Sequence, residues 1–367
     1  MMRNHARNDR RGRTAARRGF TLVEMLVVVM ILGLLSGMVL LALAGAGETA
    51  REARTRGQIQ KLNEFIMTRY ESYRTRRTPR GTSSNPIAQA RQRVDQIRAL
   101  MVQEMPDRKT DLQTVYTPGG SFSTIYARHQ RAIMAFTGNS TWGPAYAAWT
   151  PDNQHSECLY LILASITDGE TNALDFLHDS EVGDTDDDGV PEVLDGWGNP
   201  IAFLRWPQGH IGIETSLQDI RVFDSLDPLR VRGDLVTNTP LPAVPPGDNK
   251  TDVHPLGTGF AHFNLMPLVV SAGKDGIFDI GGDESAATNG DAERGIHLVD
   301  AASTGPLDFV TAQINPYFHA PLSINLIDPD NTSIYGVGVM MDVNGDGYDN
   351  SVDNISNHYL IVGGNAP

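Results

Sequence analysis

The chain has 367 residues and a formal net charge of −14, which is divided unevenly along its length. Residues 1–150 carry 23 basic and 10 acidic side chains, whereas residues 151–367 carry 7 basic and 34 acidic ones. A C-terminal region this acidic repels phosphate backbones, which argues against nucleic-acid binding.

The single cysteine, Cys158, excludes an intramolecular disulfide. Cys158 lies in the apolar run 157–163, which predicts a buried element. We therefore expect Cys158 to be a small core residue and not a nucleophile.

The N-terminus combines a basic leader with a long apolar segment. Residues 1–19 contain seven arginines and one acid, and Glu24 is the only charged residue between Phe20 and Gly47. This segment is long enough to cross a membrane, which takes about 20 residues. Because arginines stay on the cytoplasmic side, we expect the C-terminal region to lie outside the cytoplasm.

Three interpretations of this segment are open. Ala42-Leu43-Ala44 fits the cleavage site of a secretory signal peptide, although the apolar run is longer than the roughly 7–15 residues usual there. A plain signal anchor is the second interpretation. The third also accounts for Glu24, because a carboxylate in lipid is costly and requires a partner.

The string Arg18-Gly19-Phe20-Thr21-Leu22-Val23-Glu24 resembles the cleavage and methylation motif of type IV pilins and type II secretion pseudopilins. The resemblance implies that a prepilin peptidase/methyltransferase cuts between Gly19 and Phe20 and that Phe20 is then N-methylated. The family's glutamate corresponds to Glu24, which is expected to neutralise the terminal amine of a neighbouring subunit. The implied partners are other pilin-like subunits in a homo- or hetero-filament and the bacterial inner membrane.

Apolar residues at three- and four-residue spacing predict that the helix continues beyond the membrane. It should extend from Phe20 to about Thr78, where Pro79 ends it. Further helices are predicted over 87–105 and Thr124–Phe136, and a loop over Gly138–Asp152. The predicted domains are a basic leader (1–19), a transmembrane half-helix (20–47), an amphipathic half-helix (48–78), a linker with a helical insertion (79–150) and an acidic globular head (151–367).

Two segments of the acidic head match the pattern of a 12-residue calcium loop, D-x-[DN]-x-[DN]-G. Oxygen ligands lie at positions 1, 3, 5, 9 and 12, position 6 is glycine, and position 7 offers a backbone carbonyl. The candidate ligands of the first loop are Asp184, Asp186, Asp188, Val190, Glu192 and Asp195, with Gly189 at position 6. Those of the second are Asp342, Asn344, Asp346, Tyr348, Asn350 and Asp353, with Gly347 at position 6.

Neither segment is a complete EF-hand. Position 12 is Asp in both loops, where an EF-hand has a bidentate Glu. A turn is predicted directly after Asp195, and strands are predicted over 334–340 and 359–362. The segments resemble the isolated calcium loops of extracellular proteins, and ion-free surface turns are the alternative.

A further resemblance, to the major pseudopilin of type II secretion, rests on a Gly198-Asn199-Pro200 turn before a strand and on the later Ser271-Ala272-Gly273-Lys274-Asp275-Gly276 loop. It implies that Ser271, Asp275 and Asp283 are candidate ligands of a third ion. One to three bound Ca²⁺ ions are therefore expected, and they should stabilise the head.

The sequence contains no H-E-x-x-H, G-x-S-x-G or P-loop motif, and its histidines lack metal-ligand spacing. We therefore predict no enzymatic activity, and the pilin resemblance implies a structural filament subunit. The alternative is a membrane-anchored or secreted calcium-binding protein with a glycan-binding or glycan-active head, whose groove Trp197, Phe203 and Trp206 would line. The expected fold is α+β, with a long N-terminal helix packed on an antiparallel sheet and with helical insertions and calcium-type loops.

Overall fold

The computed structural model describes most of the first two hundred residues and several later segments. The described residues are 20–79, 83–113, 123–168, 171–207, 210, 224–229, 264–278, 280–281, 339–340 and 353–360. The chain divides into two units, Met1–Ala50 and Arg51–Pro367.

The first unit contains the beginning of the long helix α1 (Leu22–Ser72). The large apolar side chains between Phe20 and Leu43 are all exposed. Water does not favour a continuous apolar helix surface of this length, so a lipid or protein environment is required. Among the residues that the structure describes, α1 is the one helix long and apolar enough to cross a membrane.

The later part of α1 belongs to the second unit and has the predicted buried face. One side of the helix packs in the main hydrophobic core through Ile59, Leu62, Ile66 and Tyr70. The helix ends at Ser72, a few residues before the predicted end, because a 3₁₀ turn follows at Tyr73–Thr75 and Arg76 is extended. The turn lets Tyr73 and Arg76 both reach the buried carboxylate of Glu104.

The next three helices in the described part of the chain include the two that the sequence predicts, which are confirmed. They are α2 (Pro86–Glu104), α3 (Thr124–Phe136) and α4 (Trp142–Ala148). The predicted loop over Gly138–Asp152 is wrong where α4 lies. Pro144 stands in the first turn of α4, where proline is tolerated, and Ala145 is buried in a core cluster with Trp149.

Helix α5 (Gln154–Ser165) lies between two hydrophobic clusters. Leu159, Ile162 and Leu163 join α1 and α2 in the main core. Cys158 and Leu161 face a second cluster, formed with α3 and α4. The predicted burial of this run, and of Cys158, is confirmed.

All the strand pairs in the described segments are antiparallel. The strands are β1 (Thr167–Asp168), β2 (Thr171–Asn172), β3 (Val182–Gly183), β4 (Glu192–Val193), β5 (Ile201–Leu204), β6 (Leu268–Ser271), β7 (Ile280–Gly281), β8 (Val339–Met340) and β9 (Ile355–Ser356). Strands β5, β6 and β9 form a three-stranded sheet in that order, and the others pair as β1–β2, β3–β4 and β7–β8. Short 3₁₀ helices cover Lys109–Leu112, Ala173–Phe176 and Asp179–Glu181. The long helix, the antiparallel sheets and the further helices confirm the α+β fold.

The predicted strand over 359–362 is wrong where it is described, because Tyr359 and Leu360 belong to a short helix, α6 (Asn357–Leu360). A short apolar run has no periodicity that distinguishes a strand from a buried helical turn. Asn357, the first residue of this helix, is attached to strand β6 by a hydrogen bond. Its Oδ1 accepts from the Val269 amide at 2.9 Å.

Candidate functional site

The first predicted calcium loop is the connection between β3 and β4. Carboxylate oxygens of Asp184, Asp186 and Glu192 all lie within 4.8 Å of one another. The chain turns back sharply here, with φ of 60° at Asp187 and 93° at Gly189. The glycine expected at position 6 therefore does stand where the loop needs a left-handed residue.

A second acidic group shares a member with the first. Carboxylate oxygens of Glu157, Asp186 and Asp188 also lie within 4.8 Å of one another. Glu157 lies in α5, far from the loop in sequence, and is fully buried. Sequence reasoning missed this residue, although one acid inside a buried apolar run is itself a signal that it needs a partner.

Burial and mutual repulsion disfavour the charged forms of the carboxyl groups in this cluster. Burial, together with the negative charge of Asp188, raises the pKa of Glu157 to about 11. Burial also raises the pKa of Glu192 to about 7 and the pKa of Asp186 above its usual range. A cation among these carboxylates would favour their charged forms. The two acidic groups can thus hold a metal ion.

Neighbouring residues orient the carboxylates. The amide and hydroxyl of Thr150 donate to Asp188 and Asp186, both at 2.6 Å. The amide of Thr185 donates to both oxygens of Glu192, at 3.0 and 2.9 Å. These bonds hold the three carboxylates in place at the loop.

The other two candidate ligands of the first loop are the backbone carbonyl of Val190 and the carboxylate of Asp195. The Val190 side chain is buried in the cluster with α3 and α4, and its amide donates to Oδ1 of Asp188. The carboxylate of Asp195 turns instead toward strand β6, where Oδ2 accepts from the hydroxyl of Ser271 at 2.6 Å. Its Oδ1 accepts from the amides of Trp197 and Asn199, so Asp195 stabilises the turn before β5.

The candidate third site is partly described. Ser271 donates to Asp195, and Asp275 accepts from the amide of Ile277 at 2.9 Å. Oδ2 of Asp353, the last position of the second loop, accepts from the amide of Lys274 at 2.8 Å. The remaining candidates lie outside the described residues: Asp283, Asp342, Asn344, Asp346, Tyr348 and Asn350.

The aromatic residues proposed for a glycan groove belong to the core. Phe203 is fully buried and Trp206 is nearly so. Trp197 is half-buried and packs against the same cluster. These three side chains therefore do not form an exposed aromatic cleft.

The N-terminal motif forms a capping box at the start of α1. The amide of Thr21 donates to Oε2 of Glu24 at 2.8 Å, and the amide of Glu24 donates to the Thr21 hydroxyl at 3.2 Å. The Thr21 hydroxyl also donates to the same carboxylate oxygen, at 2.9 Å. This reciprocal arrangement satisfies two helix-end amides that would otherwise lack partners.

Residues 14–40 match the family model of the prokaryotic N-terminal methylation motif. The chain has a type IV pilin-like N-terminus. The match covers Gly19, Phe20 and Glu24, and it supports prepilin-type cleavage and methylation and assembly with other pilin subunits. The type IV pilin motif and the exposed apolar part of α1 together fit membrane anchoring. No curated protein and no solved structure matches the chain.

Proposed function

We propose that the chain is a structural, non-enzymatic subunit, major or minor, of a type II secretion or type IV pilus-like filament. The observation that carries this proposal is the exposed apolar part of α1, which begins with a carboxylate at Glu24 inside the methylation motif. The apolar side chains of this part of the helix require a lipid or protein environment, which helices of neighbouring subunits can provide. A filament core supplies them.

Processing changes the electrostatics at the start of α1. Hydrolysis of the Gly19–Phe20 peptide bond frees an α-amine, which is then methylated on Phe20. A charged amine and a charged carboxylate are each costly in a low-dielectric helix bundle. Pairing the amine of one subunit with Glu24 of the next lowers both costs and sets the register between subunits.

The topology follows from the basic leader. The seven arginines of residues 1–19 keep the N-terminus in the cytoplasm, and α1 crosses the bacterial inner membrane once. The acidic head then lies in the periplasm or outside the cell. The division into leader, membrane half-helix, amphipathic half-helix, insertion and head stays a prediction.

The test combines the mature N-terminus with filament incorporation. Mass spectrometry of the protein from its native host is expected to find methylated Phe20 as the first residue. Glu24→Gln removes the charge but keeps an amide that can close the capping box, since Gln also serves at this position. We expect this variant to lose filament incorporation, while Glu64→Gln, at an exposed position on α1, keeps it.

Each outcome of this test contradicts a different part of the proposal. A mature chain that starts at Gly45 would support a secreted protein and contradict the filament proposal. Normal incorporation of Glu24→Gln would contradict the charge-pairing step. Loss of incorporation in both Glu24→Gln and Glu64→Gln would mean that Glu24 has no special role.

We further propose that calcium stabilises the head through the loop between β3 and β4. An ion that binds only the folded state stabilises it by RT ln(1 + [L]/Kd), or roughly 1–3 kcal/mol at modest saturation. The five carboxylates of the two groups support this, since their mutual repulsion is relieved by a divalent cation. Thermal unfolding of the full chain in detergent should shift upward with calcium relative to chelator, and an unchanged Tm would overturn the calcium proposal.

A further inference from the structure

The acidic loop lacks the residue that normally closes a 12-residue calcium loop. At position 12 an EF-hand supplies a bidentate acid that completes the coordination of the ion. Here position 12 is Asp195, whose two carboxylate oxygens are taken by Ser271 and by amides of the following turn. The place of the position-12 acid is therefore open to a carboxylate from another part of the chain, beside the loop acids at positions 1, 3, 5 and 9.

Glu157 offers a carboxylate at the right place. It is 0 % exposed, and one of its oxygens lies within 4.8 Å of ligand atoms of both Asp186 and Asp188. Oε2 accepts from the indole Nε1 of Trp149 at 2.5 Å. Oε1 has no hydrogen-bond partner among the described residues, although it is buried.

A buried carboxylate oxygen without a partner costs a substantial free energy. The nearby ammonium of Lys109 is attracted to Glu157 and Asp188, but it donates no hydrogen bond to Oε1 of Glu157. Its Nζ donates to the carbonyl of Trp149 and lies 4.5 Å from the ring centre of Tyr146. Among the described residues, the Nζ atom of Lys109 has no carboxylate oxygen of Glu157 or Asp188 within 4.0 Å.

We propose that Glu157 is the ligand that the loop lacks, and that its Oε1 binds Ca²⁺ together with Asp186 and Asp188. This inference rests on the calcium part of the proposed function and adds to it a ligand outside the loop. The donors are all carboxylate oxygens, which suit a hard cation such as Ca²⁺ rather than a zinc-type ion. The ion would join helix α5, in the hydrophobic core, to the β3–β4 connection.

The test is the substitution Glu157→Gln in the full chain, solubilised in detergent, with Ca²⁺ binding followed by isothermal titration calorimetry. The amide is isosteric and still accepts a hydrogen bond from Trp149, so the fold should be kept, which far-UV circular dichroism checks. Loss of a group that only orients a ligand costs roughly 10–100-fold in metal affinity. Loss of a direct ligand should weaken Ca²⁺ binding by at least about tenfold.

The matched control is Asp187→Asn, which removes one charge from an exposed position of the same loop. Asp187 is in neither acidic group, so its loss should weaken binding much less than the loss of Glu157. A second readout is the Tm in chelator. There, Glu157→Gln should melt close to the temperature of the wild type, because without an ion the buried Glu157 carboxyl is uncharged, like the amide that replaces it. With calcium the variant should melt at a lower temperature than the wild type.

Three results would overturn the inference. If the wild type binds calcium and Glu157→Gln binds it equally well, Glu157 is not a ligand, while calcium stabilisation by the loop stands. If Glu157→Gln and Asp187→Asn weaken binding equally, only the overall charge matters. If the wild type binds no calcium, this inference and the calcium proposal fail together, while the filament proposal keeps its separate test.

Discussion

The hydroxyl of Ser271 donates a 2.6 Å hydrogen bond to the carboxylate of Asp195, and both residues are buried. The bond joins strand β6 to the turn that leads into β5. Burial raises the pKa of Asp195, while the bonds from Ser271 and from the turn amides favour its charged form. Two residues that sequence patterns assign to different metal sites thus form one structural contact.

Ser271→Ala should destabilise the head by about 1–2 kcal/mol, because a buried carboxylate oxygen loses its donor. Denaturant unfolding of the full chain in detergent measures this change. The control is Ser72→Ala, at an exposed position at the end of α1, where surface substitutions usually stay within about 0.5 kcal/mol. Equal effects of the two substitutions would show that the contact with Asp195 contributes nothing.

Glu104 joins the helices around the main core. Its fully buried carboxylate accepts from Arg69 at 2.7 Å, from the Tyr73 hydroxyl at 2.9 Å and from the Ser123 hydroxyl at 2.6 Å. Glu104→Ala leaves Arg69 without this partner and should cost about 3–5 kcal/mol, as breaking a buried ion pair does. Glu64→Ala, exposed on α1, is the control, and a similar free-energy change for both would contradict the prediction.

His129 should make the head less stable at mildly acidic pH. Burial lowers its pKa to about 4. The positive charges of Arg69 and Arg128 lower the pKa further, whereas the hydrogen bond to the Glu104 carbonyl raises it. Between pH 6.5 and about 4 the unfolded chain therefore binds a proton that the folded chain excludes. The free energy of unfolding falls as pH is lowered through this window and is regained as pH rises, by up to roughly 3 kcal/mol.

His129→Gln tests this pH dependence, since glutamine does not titrate. The variant should lose part of the decrease in stability between pH 6.5 and 4, measured by denaturant unfolding at several pH values. Part should remain, because burial lowers the pKa of His358 to about 3 and that shift has the same sign. An identical pH profile for wild type and variant would refute the role of His129.

Gly189 tests the geometry of the acidic loop. Its φ is +93°, and an added Cβ would lie 2.9 Å from the Phe136 carbonyl oxygen. Gly198 has almost the same φ, +92°, but an added Cβ there would meet nothing within 4 Å. Gly198→Ala should cost about 1–2 kcal/mol from backbone strain alone, and Gly189→Ala should cost measurably more. Equal changes in the free energy of unfolding would mean that the loop moves freely away from α3.

Several elements were predictable because local chemistry determines them. Helix α3 follows the predicted bounds, with Ser123 as its cap. The buried face of α1 follows from helical spacing alone. Helix α4 was not predictable, because Gly143 and Pro144 favour a loop and only the burial of Ala145 and Trp149 overrides them.

The acidic cluster at the β3–β4 connection was predictable only in part. Asp184, Asp186 and Asp188 lie at alternate positions of one loop, so the sequence alone shows that they are close together. The approach of Glu157 depends on how α5 packs against the β3–β4 connection, and no spacing pattern encodes a contact of that kind. For the same reason the pairing of Asp195 with Ser271 could not be foreseen, since it depends on the register of β5 against β6.

The end of the acidic loop is attached to α1 by polar contacts. The Thr55 hydroxyl accepts from the Gly196 amide at 2.9 Å, and the Gln58 amide group donates to the Leu194 carbonyl at 2.8 Å. Hydrogen bonds weaken steeply with misalignment, whereas apolar contacts can slide. We therefore expect a force that pulls α1 along its axis to act first on these two hydrogen bonds, which would hold the helix against sliding past the end of the loop.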